Sequence, residues 1–109
     1  MIRRAAPGLQ EYFSRIGMEL AKISHRPDLP WRFTILDTHV VNAFAVPGGY
    51  VYFTRAILAH MNNEAELAGV LGHEIGHITA RHSVSQISRQ QLLGLGLGVG
   101  SILSPLSGN

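Results

Sequence analysis

Near the start of the chain, apolar residues recur at helical spacing: Leu9, Tyr12, Phe13, Ile16, Leu20 and Ile23, with Gln10, Glu11, Arg15, Glu19 and Lys22 between them. A stripe of this kind buries one side of an amphipathic helix, so the pattern predicts a helix over 7–24. His25-Arg26-Pro27-Asp28-Leu29-Pro30 then breaks it, because neither proline can continue the helical hydrogen-bond ladder. From Trp31 the period changes to two. Trp31, Phe33 and Ile35 alternate with Arg32, Thr34 and Leu36, which predicts a strand over 31–36. Two more β-branched and aromatic runs predict strands over 40–46 and 50–53, joined into a hairpin by Pro47-Gly48-Gly49. Thr54 is placed to cap a short helix over 55–61.

Asn63 opens the next helix. With Glu66 three residues on it resembles a capping box, and Glu64 and Glu66 suit the positive end of the helix dipole. The pattern predicts a helix over 64–82 and permits its extension to Gln91. Gly69, Gly72 and Gly76 lie near one face and each costs about 1 kcal/mol relative to Ala in a helix interior. The expected compensation is close packing of that face on a neighbouring backbone. The segment 92–106 is rich in Gly and Leu and uncharged. It falls short of the roughly 20 apolar residues that span a bilayer, so it reads as an apolar tail that packs against protein or lies on a membrane surface. Helices and strands together predict one α+β domain, the size that 109 residues allow.

Composition adds three constraints. Apolar residues make up 46% of the chain and charged ones only 15%, rich for a free-standing domain and suggestive of a further packing surface. The net charge of +2 is spread over scattered cations, with no stripe or run, which argues against a nucleic-acid partner. There is no Cys, so a metal site must be built from His and carboxylates. Met1-Ile2-Arg3-Arg4 has no apolar run behind it and does not read as a secretory signal.

Candidate chemistry is concentrated at His73-Glu74-Ile75-Gly76-His77. On a helix, His73 and His77 point the same way and can present ring nitrogens to one Zn2+ ion. Glu74 stands on the flank of that pair, where a carboxylate can serve as general base for a metal-activated water. A catalytic zinc usually has three protein ligands. A third His ten residues after the first would fall on Ser83, and His82 lies about 180° around the helix from His73. His25, His39 and His60 have no motif context, and no Asp or Glu follows Glu74. Asp37 or the early glutamates would have to fold back to complete the set.

Three stretches carry a more specific resemblance: Asn42-Ala43-Phe44-Ala45-Val46-Pro47-Gly48-Gly49, Asn63-Glu64-Ala65-Glu66-Leu67-Ala68, and Gly72-His73-Glu74-Ile75-Gly76-His77 with Arg81-His82. Together they resemble metallopeptidase family forty-eight, the zinc proteases that include the HtpX-like, Oma-type and CAAX prenyl endopeptidases. The match is close over 42–83 and weaker back to about Leu9. The resemblance implies a zincin-like fold, zinc on His73 and His77, Glu74 as catalytic base, and endopeptidase activity on protein or peptide substrates. It implies that substrate adds as a strand to an edge strand before the helix, at Asn42, Ala43, Phe44 and Ala45 or on Tyr50 to Phe53. It places the third ligand, a Glu, on a later helix, so that the chain reads as the N-terminal part of the catalytic domain. The missing part, or a neighbouring subunit, would then be a partner. The soluble bacterial-envelope branch fits best, which implies a cell envelope or periplasmic location with membrane or envelope-protein contact. The alternative class is a non-catalytic zincin-like interaction module. The absent third ligand favours it and the intact Glu74 disfavours it.

Overall fold

The computed structural model describes residues 3–4, 6–80 and 85–94. Over these the chain forms β1 (Arg3–Arg4), α1 (Pro7–Lys22), β2 (Arg32–Asp37), β3 (Asn42–Val46), β4 (Tyr50–Thr54), α2 (Arg55–Leu58), α3 (Glu64–Thr79), β5 (Ser85–Ser88) and α4 (Arg89–Gly94). The architecture is α+β, with one mixed sheet in the order β1-β2-β4-β3-β5. β2 and β4 run parallel, and the other pairings are antiparallel.

The predicted hairpin is β3–β4, with Ala43 opposite Phe53 and Val46 opposite Tyr50. Its turn requires glycine: Gly48 and Gly49 have φ of 107° and 106°, a region closed to most side chains. Alternation along the strands buries Phe33, Ile35, Ala43, Ala45, Val51 and Phe53. Their neighbours Thr34, Leu36, Phe44, Val46 and Tyr52 are half-buried on the opposite face, where Phe44 stacks on Tyr52 with centroids 5.0 Å apart.

α1 lies against β2. It starts without a side-chain cap but with Pro7 in its first turn, whose fixed φ is already helical. Phe13 meets Phe33 edge-on at 6.2 Å, and Trp31 stacks on Phe33 at 6.0 Å. The expected apolar stripe is trimmed at its ends: Leu9 is 38% exposed, and Ile23, just past the helix, is 84% exposed.

Several boundaries differ from the sequence expectation for local reasons. The strand expected from Val40 begins at Asn42, because the buried Thr54 hydroxyl ends the ladder there. It accepts from Asn42 N–H at 3.1 Å and donates to Asn42 C=O at 3.0 Å. The same hydroxyl caps α2 by accepting from Ile57 N–H at 3.1 Å. The helix expected over 55–61 is regular only to Leu58. Its end tightens into short-range bonds, His60 N–H to Ile57 C=O and Met61 N–H to Leu58 C=O.

Two expectations are corrected. The motif helix does not continue toward Gln91. It ends at Thr79, and Ser85–Ser88 form a strand instead, with Ile87 buried and Gln86 exposed. That strand pairs with the outer side of β3, setting Ser85 to Ser88 opposite Ala45 to Asn42. Asn42, Ala43, Phe44 and Ala45 therefore do not form an edge: β4 is bonded on one side and β5 on the other. Tyr50 to Phe53 lie farther in, between β2 and β3. Backbone groups already in two ladders have none left for an added strand. Of the apolar tail expected over 92–106, residues 92–94 belong to α4, where Leu92 is buried. Residues 95–106 lie outside the described residues, as does His82.

Candidate metal centre

The first turn of α3 is held at three points. Asn63 Oδ1 accepts from Glu66 N–H at 2.9 Å. Glu66 reaches back, accepting from Asn62 N–H at 2.7 Å, one residue earlier than the usual capping box. Tyr12 O–H donates to Glu64 at 2.5 Å and so ties α1 to the start of the motif helix. The tie leaves its mark on the phenol, whose pKa is raised above the ordinary 10.0. The hydrogen bond to Glu64 is the largest cause, followed by desolvation and the Glu64 charge, with Arg15 opposing.

From that anchor α3 runs across β3 and against α1. Leu67, Val70, Leu71, Ile75 and Ile78 form its buried stripe, and Glu74 lies within it with no solvent exposure at all. Glu74 follows Val70 by four residues and Leu71 by three, so its burial follows from the same periodicity that buries the leucines. The expected close packing of Gly69, Gly72 and Gly76 does not occur among the described residues. All are exposed, and a Cβ on any of them would meet nothing within 4 Å.

His77 is half-buried and His73 exposed, on the flank of that stripe. Their Nε2 atoms stand 3.2 Å apart, with the rings nearly perpendicular at 82°. This separation tests the fit to a metal. Two Zn–N bonds of about 2.0–2.1 Å meeting near the tetrahedral angle hold their nitrogens roughly 3.3 Å apart. The two imidazoles are thus spaced as a single zinc ion needs them. The donor atoms of His73, Glu74 and His77 all lie within 4.8 Å of one another. A cation between the rings would therefore be close to the buried Glu74 carboxylate.

The other candidates are held elsewhere. Asp37 is paired with Arg55 at 2.5 Å, Glu19 with Arg15 at 3.9 Å and Asp28 with Arg26 at 3.3 Å. Glu64 and Glu66 serve the start of α3. Among the described residues His73, Glu74 and His77 are the one group placed to hold a metal, and His25, His39 and His60 do not join it. An apolar cavity of about 300 Å³ between α1 and α3, lined by Leu9, Tyr12, Phe13, Met61 and Leu67, has Glu64 at its rim. Glu64 precedes His73 by about 13.5 Å of helix rise, so this cavity is separate from the histidine pair.

Comparison with known proteins gives the geometry a lineage. The model of peptidase family M48 matches residues 7–105. The beta-barrel assembly-enhancing protease of Escherichia coli (strain K12) is 36% identical over 85 residues, covering 78% of this chain and 18% of that protein. The mitochondrial metalloendopeptidase OMA1 of Schizosaccharomyces pombe is 38% identical over 77 residues, 71% of this chain and 23% of that protein. The metalloprotease YcaL of Escherichia coli (strain K12) is 34% identical over 79 residues, 68% of this chain and 31% of that protein. The chain spans about a fifth of the first of these relatives. With the match running from the first helix through the motif helix and beyond it, the chain belongs to peptidase family M48.

Proposed function

We propose that this chain carries part of the active centre of a zinc-dependent endopeptidase of zincin-like fold. The observation that supports it most directly is the 3.2 Å spacing of the His73 and His77 Nε2 atoms beside a fully buried Glu74. His73 and His77 would hold the ion. Zinc, when bound, supplies the Lewis acidity that polarises a scissile carbonyl and acidifies water. Glu74 accepts the proton of the attacking water on a carboxylate oxygen and delivers it to the leaving amine nitrogen. Its burial fixes the carboxylate in one place and keeps bulk water from competing for it. A non-catalytic module needs no general base, so the intact Glu74 disfavours that alternative.

The ligand set is completed from beyond these residues. Among the described residues no carboxylate besides Glu74 is grouped with the two histidines, so on this reading the third ligand is a carboxylate from further polypeptide or from a neighbouring subunit. The substrate is a protein or peptide. A cell-envelope or periplasmic setting, with membrane or envelope-protein contact, rests on similarity to the Escherichia coli protease named for beta-barrel assembly. No helix among the described residues is long and apolar enough to cross a membrane.

The test is Glu74→Gln in the complete protease. Zinc content by metal analysis should stay stoichiometric while peptide cleavage falls by roughly 10²–10⁴-fold, the range for loss of a general base. Unchanged cleavage would remove Glu74 from this role.

A further inference from the structure

The cavity between α1 and the start of α3 has a buried floor and an open mouth. Phe13 and Leu67 in the floor are 1% and 5% exposed, whereas Leu9 at the mouth is 38% exposed. The half-buried Leu58 and Met61 complete the apolar wall. Its volume of about 300 Å³ is at the lower limit for ligand pockets, which is room for one large side chain rather than for a cofactor. The rim is polar and held in place. Tyr12 O–H donates to Glu64 Oε1, Glu66 N–H to Asn63 Oδ1, and Asn62 N–H to Glu66 Oε1.

Charge at the rim is negative. Glu64 is the one charged side chain among the described residues that line the cavity. Tyr12 engages Oε1 only, and a carboxylate accepts at both oxygens, so Oε2 is left for a further donor. The helix dipole places about half a positive charge at this end of α3. The carboxylates of Glu64 and Glu66 in the same turn outweigh it. Arg15, over the Tyr12 ring at 5.4 Å, is paired with Glu19.

We propose that this cavity docks a segment of a partner protein, taking one large apolar side chain into the cavity and setting an Arg or Lys of that segment against Glu64. A preformed apolar pocket inside a polar ring is the setting in which a single anchoring side chain carries much of an interface's binding energy. The site uses neither His73 nor His77.

The test titrates the full, metal-free chain with three peptides, N-acetyl-Phe-Arg-amide, N-acetyl-Phe-Gln-amide and N-acetyl-Ala-Arg-amide, and follows amide chemical shifts by NMR. The Phe-Arg peptide should give saturable shifts at Leu9, Met61 and Leu67. The Phe-Gln peptide should bind about fivefold more weakly, the upper range for an exposed ion pair. The Ala-Arg peptide should bind roughly tenfold more weakly or worse, through loss of the buried ring. Glu64→Gln, which keeps an acceptor for Tyr12, should bring the Phe-Arg and Phe-Gln peptides to equal affinity. Leu9→Trp fills the mouth from an exposed position and should block binding in a chain still folded by circular dichroism. Absence of saturable shifts at the cavity overturns the proposal, as does equal affinity of the Phe-Arg and Phe-Gln peptides for the parent chain. Undiminished binding to a folded Leu9→Trp chain overturns it too. A parent that is dimeric by light scattering, with shifts at Leu9 and Leu67 on dilution, would make the occupant a second copy and overturn it as well.

Discussion

Replacing a helix glycine by alanine should have opposite effects at two positions of this chain. Gly17 sits where α1 presses on β2, and a Cβ there would lie 2.5, 2.6 and 2.7 Å from three ring carbons of Phe33. The ring cannot easily give way, with Trp31 stacked on it and Phe13 against it edge-on. Alanine gains about 1 kcal/mol of helix preference over glycine. Overpacking a tight core contact costs about 1–3 kcal/mol, toward the upper end where the obstacle is the body of a held ring. Gly17→Ala should therefore destabilise by about 1–2 kcal/mol. At Gly69 the added methyl meets nothing within 4 Å, so only the helix preference remains and Gly69→Ala should stabilise by up to about 1 kcal/mol. For a domain of this size 1 kcal/mol moves the thermal midpoint by about 4–8 °C. Thermal and urea unfolding of both variants, followed by circular dichroism, measures the contrast. A Gly17→Ala midpoint at or above the parent would refute the account of the α1–β2 contact. A Gly69→Ala midpoint below the parent would refute the open face of α3.

Thr54→Val should cost about 1–3 kcal/mol, because it strips the α2 cap and the Asn42 bonds from a buried site, whereas Thr54→Ser should recover most of that loss in the same denaturant titration. The Tyr12 phenol should ionise above pH 10.0 in the folded protein. Its pKa is raised on folding, so the stability it contributes is complete below 10.0 and is lost as the pH climbs through the raised value. Spectrophotometric titration of Glu64→Gln should find that midpoint lowered, and an unchanged one would remove Glu64 as the cause. The isolated 109-residue chain should retain zinc weakly, His77→Ala should abolish that binding, and both are read by metal analysis after dialysis. Tight stoichiometric zinc on the isolated chain would contradict the proposal that the third ligand comes from beyond these residues.

Much of this was readable in the chain alone because it is local. The spacing of Phe13, Ile16 and Leu20 is enough for a helix, and Pro47-Gly48-Gly49 between apolar runs is enough for the β3–β4 hairpin. The motif needs only the helical repeat to align His73 with His77. Other features left no local pattern. β1 is two arginines and β5 is Ser-Gln-Ile-Ser, both too short and too polar to signal a strand; each exists through its pairing partner. β3 is an interior strand for that reason, although its own residues read as an edge: whether a strand is an edge depends on what lies beside it.

The sequence by itself determined α1, the β3–β4 hairpin and the motif helix, that any metal must rest on imidazole and carboxylate, and which three residues are candidates to hold and serve it. Backbone preference and hydrogen-bonding chemistry act over a few residues, so they are legible one segment at a time. Tertiary structure alone decided the sheet order and the Gln10 carboxamide against β2. Gln10 donates to Phe33 C=O and accepts from Ile35 N–H, contacts that join residues 23 and 25 positions apart. Distances of that kind arise only when the burial of every segment is satisfied at once, and no local stretch of chain encodes them.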